Sequence, residues 1–300
     1  MTRRDMLFAL AIIMAWGLNF VVIAWGLDDL PPMMLGGLRF LIVAIIGSFF
    51  FKRPNTPLKW WFWYALPLSF GQFAFLFTAM KFGMPAGLAS LVLQAQAMFT
   101  LLFAVVFLKE NVRPYQLIAI AIAAGGLATI ALENDNSSMT MIGFGLTLIA
   151  AICWALGNIS TKVISKKGYH ANVNLVIWSC WIPPLPFFIC SWFIDGPETM
   201  LQSLADIDWA TTATLAYLSI FATVGGYGLW SFLMARYPAA TIAPLTLGVP
   251  VIGLTASAIL LSEHVSPLQW VGVLIVLVGL ILNTLGGRLL AQRANKQNVL

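Results

Sequence analysis

Two tryptophan–asparagine pairs are the residues of this chain best placed to bind a polar solute. Trp16 and Asn19 are three positions apart, and Trp154 and Asn158 are four apart, so each pair shares one face of a helix. An indole ring beside an amide can line a polar cavity, because the ring offers a π face and the amide offers donors and acceptors. The alternative is that these side chains only pack and hydrogen-bond between helices.

Three glutamines extend the set of polar groups at mid-depth of apolar segments. Gln94 recurs at helical spacing with Gly87 and Ser90, which places an amide on a narrow helix face. Gln96 lies about 200° round a regular helix from Gln94, so spacing ranks Gln94 first and separates the two amides unless the helix is distorted. Gln72 adds a further amide. We expect all three to line a cavity.

One cation, two aromatic residues and two prolines complete the candidate site. Arg39 stands in an apolar segment, where it requires a solute anion, carbonyl groups or a route to the lipid head groups. Tyr227 and Trp230 belong to the run TVGGYGLW, whose glycines let backbone approach a solute. Pro244 and Pro250 are candidate hinges, although prolines in apolar helices serve static packing equally well.

Composition identifies lipid as the main solvent of the chain. Hydrophobic residues make up 60% of it and charged residues only 9%, which excludes a water-soluble protein. The net charge of +5 does not indicate nucleic-acid binding, because the basic residues lie in short breaks between apolar runs. We expect the lipid bilayer and a small-molecule substrate as partners, and no nucleic acid.

Catalytic, metal and cofactor sites are not predicted. The three cysteines lie inside apolar runs without ligand-like spacing, and no Asp or Glu lies deep in an apolar run. An integral-membrane transferase is the alternative from another class of protein, but its only candidate motif, Asp28-Asp29, has no partner residues. We therefore expect a protein that is not an enzyme.

About ten apolar stretches approach the roughly 20 residues that a helix needs to cross a bilayer, five in each half of the chain. With the amino terminus in the cytoplasm, every Lys and Arg except Arg39 and Lys81 falls on the cytoplasmic side. Both termini are therefore predicted to be cytoplasmic. Gly272, Gly279 and Gly286 recur at heptad spacing in the last stretch, which predicts close helix packing.

An internal repeat predicts how the two halves are arranged. An offset of 153 positions aligns Pro85-Ala86 and Glu110 with Pro238-Ala239 and Glu263. Five crossings per repeat place the second copy upside down, an arrangement that lets two halves expose a midplane site to each side in turn. The predicted division is a first repeat over 1–136, an inverted second repeat over 137–290 and a cytoplasmic tail over 291–300.

The whole chain resembles the EamA family of the drug/metabolite transporter superfamily. The resemblance is carried by WG in the first helix, by the Pro-Ala starts of two helices, and by the segments WGLNFVVI, LGGLRF, QFAFLF, FGMPAGLASLVLQAQAMFT and TVGGYG. Within that family these segments are similar to those of bacterial exporters of O-acetylserine and cysteine. The resemblance implies an all-α, multi-pass protein of the bacterial inner membrane that exports these zwitterions.

Several points stay open at this stage. Other amino acids or drug-like amines are alternative substrates within the same superfamily. Export rather than import follows only from the resemblance, because an inverted fold permits both directions. The absence of a deep carboxylate argues against a proton relay, and we expect a monomer or a homodimer.

Overall fold

A computed structural model describes residues 1–133 and 139–297, and the regular structure within them is entirely helical. Apolar segments of this length form helices because a helix satisfies its own backbone hydrogen bonds in lipid. The main helices are α1 (Arg3–Asp29), α2 (Pro32–Phe50), α3 (Leu58–Lys81), α4 (Ala86–Leu108), α5 (Pro114–Ala131), α6 (Met141–Lys166), α7 (Val173–Ile194), α8 (Trp209–Arg236), α9 (residues 239–260) and α10 (Pro267–Gln297). A short helix, Pro197–Ala205, joins α7 to α8.

Nine helices of the described chain are long and apolar enough to cross a membrane, namely all of these except α9. The apolar part of α9, Pro244–Leu260, is shorter. The predicted stretches therefore all appear as helices, nine of them at spanning length.

Local sequence sets where the helices begin. Proline occupies the first turn of α2, α5 and α10, where its missing N–H has no helical partner to lose. Thr2 and Thr140 cap α1 and α6, because each hydroxyl accepts a hydrogen bond from a backbone N–H of the first turn.

Four of the helices contain a segment that departs from α-helical geometry. A π-helical segment interrupts α3 at Leu66–Gly71, and another interrupts α8 at Tyr217–Gly225. Short 3-10 segments interrupt α4 at Leu93–Ala95 and α9 at Ala243–Leu247. Such irregular turns re-aim the side chains that follow them, and π-helical turns occur frequently at functional sites.

The helices pack in matching sets around a shared core. Helix α1 packs on α8 and α9, α6 packs on α3 and α4, and α2 packs on α7. The largest cluster of buried apolar side chains draws mainly on α1, α4 and α6. Large apolar residues such as Phe49 and Trp209 point outward, as expected for a surface that faces lipid.

Helices α5 and α10 form the most extensive helix pair of the molecule. Their backbones touch: a Cβ added at Gly126 would lie 2.7 Å from the backbone nitrogen of Val276, and one at Gly279 would lie 2.8 Å from that of Ala123. A Cβ at Gly272 would lie 2.8 Å from the carbonyl oxygen of Gly126. The packing role predicted for this glycine stripe is confirmed, and we call the contact the α5–α10 seam.

The boundaries of the predicted units are only partly visible. The division between residues 136 and 137 lies outside the described residues. Helix α10 continues to Gln297, so residues 291–297 of the predicted tail extend the last helix.

Candidate substrate-binding site

Trp16 is the centre of an aromatic cluster between α1 and α8. The centroid of its ring is 5.5 Å from that of Tyr227 and 5.5 Å from that of Trp230. Its indole Nε1 donates a hydrogen bond of 2.9 Å to the carbonyl oxygen of Ala222, in the π-helical segment of α8. Gly226 permits this approach, because a Cβ there would lie 2.5 Å from Trp16 Nε1. Three of the predicted site residues thus meet in one cluster.

Asn158 and Gln96 form a second polar cluster between α6 and α4. Asn158 Nδ2 donates hydrogen bonds of 2.8 Å to Gln96 Oε1 and 3.1 Å to Thr100 Oγ1. The sequence ranked Gln94 ahead of Gln96, yet Gln94 forms no side-chain hydrogen bond with any described residue. Gln94 lies in the 3-10 segment of α4, which supplies the distortion that regular helical spacing does not contain. Thr100 was missed, although it stands one helical turn after Gln96.

Arg39 is a buried cation with an incomplete set of partners. Its side chain is 3% exposed, and Nη2 donates a hydrogen bond of 3.1 Å to Thr223 Oγ1 in α8. The guanidinium carbon lies 4.4 Å from the ring centroid of Phe73, a cation–π distance. Within the described chain, Nε and Nη1 have no hydrogen-bond partner and no carboxylate pairs with the guanidinium. A desolvated cation in this state is suited to bind an anion.

The π-helical segment of α8 links the aromatic cluster to Arg39. Ala222 accepts the bond from Trp16, and its neighbour Thr223 accepts the bond from Arg39. Thr223 Oγ1 in turn donates 2.8 Å to the carbonyl oxygen of Leu218, which fixes the hydroxyl inside the wide turn. The sequence singled out the run that contains Thr223 for its glycines, but it gave no signal that Arg39 would reach this hydroxyl.

Two predicted amides are buried without side-chain hydrogen bonds to the described residues. Asn19 is 8% exposed and its Oδ1 has no partner, although its helix places it one turn after Trp16. Gln72 is 5% exposed and begins the regular turn after the π-helical segment of α3. Buried amides without partners are costly, so both positions favour contact with a polar solute.

The remaining candidates lie apart from these groups. Trp154 is partly buried and packs between two apolar clusters. Pro244 lies in the 3-10 segment of α9, and Pro250 is buried in the helical segment Gly248–Leu260 that follows it. The structure therefore does not gather all twelve predicted residues into one cluster.

Glu263, in the loop before α10, binds the start of α4. Its Oε1 accepts a hydrogen bond of 2.6 Å from the backbone N–H of Ala86, and its Oε2 accepts one of 2.9 Å from that of Gly87. Both N–H groups lack helical partners at a helix start, and a carboxylate is favoured there by the helix dipole.

Glu110, after α4, binds the side chains of two lysines on α6. Its Oε2 lies 2.8 Å from Lys162 Nζ, and its Oε1 lies 3.9 Å from Lys166 Nζ. The hydrogen bond from Lys162 lowers the pKa of Glu110 below its ordinary value, against the effect of partial burial. The group stays exposed to solvent.

In the described part of the chain, no group of three or more His, Cys, Asp or Glu residues is arranged to hold a metal ion. Cys153, Cys180 and Cys190 are free thiols. The chemistry that the described site offers is hydrogen bonding, cation–π contact and one buried positive charge.

Comparison with known proteins gives a consistent family. The family described as the EamA-like transporter family matches residues 4–132 and 141–285. Two proteins named probable amino-acid metabolite efflux pump, from Escherichia coli (strain K12) and Salmonella typhimurium (strain LT2), are each 47% identical to this chain. Each comparison covers 96% of this chain and 97% of the relative.

More distant similarities agree. An uncharacterized inner membrane transporter of Escherichia coli (strain K12) is 26% identical, covering 93% of this chain and 90% of the relative. A solved crystal structure covers 97% of this chain and 99% of its own, with a TM-score of 0.64 and 16% identity, a likeness that concerns the fold alone.

Proposed function

Because this chain belongs to the EamA-like transporter family, we propose that it exports small zwitterionic metabolites by alternating access, with O-acetylserine and cysteine as its substrates. It is a multi-pass protein of the bacterial inner membrane and a transporter rather than an enzyme. Its relatives at 47% identity are named for efflux of amino-acid metabolites, which supports an exporter of amino-acid-related compounds.

The observation that carries the substrate proposal is the buried guanidinium of Arg39. An amino-acid zwitterion presents a carboxylate, and the unpartnered Nε and Nη1 groups of Arg39 are donors for it. The ammonium of the same solute suits amide oxygens and the faces of aromatic rings. A large polyanion is disfavoured, because Arg39 is the only cation among the proposed substrate contacts.

The substrate path proposed here contains both polar clusters and the residues between them. Asn158 and Gln96 supply amides on the α4–α6 side, and Trp16 supplies an aromatic face on the α1–α8 side. The complete set of proposed substrate contacts is Trp16, Asn19, Arg39, Gln72, Gln94, Gln96, Trp154, Asn158, Tyr227 and Trp230. Their distribution over two facing helix groups suits a site that opens to either side.

For the architecture we propose ten crossings in two inverted five-helix repeats, with both termini in the cytoplasm. The backbone irregularities support this. Shifting residues 66–71 by 153 positions gives 219–224, which falls inside the π-helical segment Tyr217–Gly225. The same shift carries residues 93–95 to 246–248, which overlap the 3-10 segment Ala243–Leu247.

The packing of the helices supports the same repeat. Helix α1 contacts α8 and α9, while α6 contacts α3 and α4, and these are the pairings that the repeat exchanges. We propose that the two sets rock against each other while the α5–α10 seam stays fixed. Pro244 and Pro250 bracket the point where α9 changes from a 3-10 segment to a regular helix, and we propose them as hinges.

An alternative substrate class is drug-like amines. The cluster of Trp16, Tyr227 and Trp230 favours it, because three neighbouring rings can hold an ammonium group without any need for a carboxylate. The two classes differ in their dependence on Arg39, and this difference defines the experiment.

The deciding measurement is uptake of labelled O-acetylserine and cysteine into inside-out vesicles, with threonine, an aromatic amino acid and a quaternary amine as unlabelled competitors. We expect saturable uptake that only the two proposed substrates inhibit, both with and without a proton gradient. Arg39→Met should reduce it by about tenfold or more, since a charge-assisted hydrogen bond contributes about 1.5–3 kcal/mol. The exposed Arg3→Met is the matched control.

Inhibition by the amine, together with full activity of Arg39→Met, would replace the zwitterion by an amine as the substrate. Dependence on the proton gradient would contradict the expectation of transport without a proton relay.

A further inference from the structure

An open cavity of about 450 Å³ lies at one end of the helices, away from the residues described above. We call it the outer cavity and define it by Asp28 at the end of α1, Lys81 at the end of α3, Met84 before α4, and Glu263 before α10. Its volume is in the range of small-molecule sites, and both signs of charge line it. None of these residues belongs to the substrate contacts proposed above.

Backbone contacts hold two of the charged groups of the outer cavity in place. Lys81 Nζ donates a hydrogen bond of 2.7 Å to the carbonyl oxygen of Leu27, and Glu263 accepts from the N–H groups of Ala86 and Gly87. An ammonium has three donors and a carboxylate has about four acceptor positions, so each retains capacity for a solute.

Asp28 differs from these two groups. Its carboxylate lines the cavity, is exposed, and makes no hydrogen bond or ion pair with any residue the structure describes. With Glu263 and Lys81 it gives the cavity two negative charges and one positive charge. This combination complements a small solute that carries an ammonium and a carboxylate together, and it disfavours a plain anion.

We propose that the outer cavity is a second, exit-side binding site for an amino-acid zwitterion, whose ammonium faces Asp28 and Glu263 and whose carboxylate faces Lys81. The proposal rests on the proposed function and on the orientation that places this end of the helices in the periplasm. A solute released from the site near Arg39 would pass through the outer cavity before it leaves the protein.

The test is protection of a cysteine in the outer cavity from a membrane-impermeant maleimide. Ala24→Cys is introduced into the full chain with Cys153, Cys180 and Cys190 replaced by serine, and intact cells are labelled from outside. Ala24 lines the cavity one turn before Asp28. The probes are O-acetylserine, 2-aminoethyl acetate, which lacks the carboxylate, and 3-acetoxypropanoate, which lacks the ammonium.

We expect O-acetylserine to slow labelling several-fold, 2-aminoethyl acetate to slow it less, and 3-acetoxypropanoate to leave it unchanged. Asp28→Asn should abolish the protection. Asp206→Asn is the matched control, because it removes the same charge from an exposed position that does not line the cavity. Protection should survive in this control.

Equal protection by all three probes, protection that persists in Asp28→Asn, or a cysteine that does not label from outside would each overturn the proposal. Vesicle uptake of O-acetylserine with the same variants separates the two claims. Saturable transport without protection refutes the exit-side site alone, and protection without transport of O-acetylserine refutes the proposed substrate path alone.

Discussion

Glu110 and Glu263 stand at equivalent places in the two halves of the chain, yet they bind different kinds of partner. Glu263 accepts from two backbone N–H groups at the start of α4, whereas Glu110 binds Lys162 and Lys166 on α6. The neighbouring helix explains the difference. The offset that aligns Trp16 with Trp154 places Ala24 and Asp28 of α1 opposite these two lysines, so Glu263 has no competing cation.

The comparison teaches that identical residues in a repeat acquire their roles from the helix beside them. Backbone N–H groups are fixed and partly desolvated, so their bonds to Glu263 are strong and insensitive to salt. The side chains of Lys162 and Glu110 are 43% and 38% exposed, and an ion pair in that setting contributes little. One end of the molecule is held firmly and the other loosely.

The largest effect that this comparison predicts is for Glu263→Ala. Removal of the carboxylate leaves two N–H groups at the start of α4 without partners and should destabilise the protein by on the order of 2 kcal/mol or more. Glu110→Ala is the matched variant and should cost far less. Thermal unfolding of both purified variants in the same detergent measures the difference, and equal losses would show that the two glutamates do not differ in this way.

A smaller effect is expected when the missing cation is supplied. Ala24→Lys places an ammonium beside Glu263 at the position that corresponds to Lys162, where it should compete with the backbone N–H groups. Efflux should fall several-fold in intact cells. Ala24→Met adds similar bulk without charge and should retain most of the activity, so an equal loss in both variants would assign the effect to size.

The two tryptophans offer a comparison of intermediate strength. Trp16 donates to the carbonyl oxygen of Ala222, whereas the indole of Trp154 makes no hydrogen bond with a described residue. Trp16→Phe should therefore reduce transport more than Trp154→Phe, by about the value of one hydrogen bond, roughly 1 kcal/mol or fivefold. Vesicle uptake at subsaturating substrate measures it. A larger loss for Trp154→Phe would reverse the order.

The smallest predicted effect concerns the salt and pH dependence of Glu110. Its pKa is lowered, chiefly by the hydrogen bond from Lys162, so the pair stabilises the folded protein above the ordinary pKa of 4.5 and loses this contribution as the pH falls through the lowered value. Lys162→Met should raise the pKa of Glu110 and reduce stability by no more than about 1 kcal/mol.

This last effect should disappear in concentrated salt, because the pair is exposed. Unfolding of the wild type and Lys162→Met across pH and salt measures it. A contribution that persists in high salt would mean that the pair is more shielded than its exposure indicates.

The sequence predicted the features that depend on composition and spacing. Apolar length identified the spanning helices, and the heptad of glycines in α10 identified the α5–α10 seam. The polar contacts were harder to predict. Gln96 rather than Gln94 meets Asn158, because the 3-10 segment of α4 changes which residue faces α6.

Other contacts could not be deduced from spacing because they join distant parts of the chain. Arg39 reaches Thr223 through the wide turn of α8, and no periodicity in either helix records that bond. The different partners of Glu110 and Glu263 likewise depend on residues of a third helix. Local pattern defines a helix face, but the neighbour that this face meets is a property of the assembled fold.

The α5–α10 seam also bears on how freely this chain can vary. Every missense change in a glycine codon adds a Cβ, and at Gly126, Gly272 and Gly279 that atom would overlap the backbone of the opposite helix. A side chain in the way can change its rotamer, but a backbone cannot do so without shifting the whole helix. A complete mutational scan should therefore find a narrow line of intolerant codons along this seam, next to lipid-facing positions where one apolar residue replaces another at little cost.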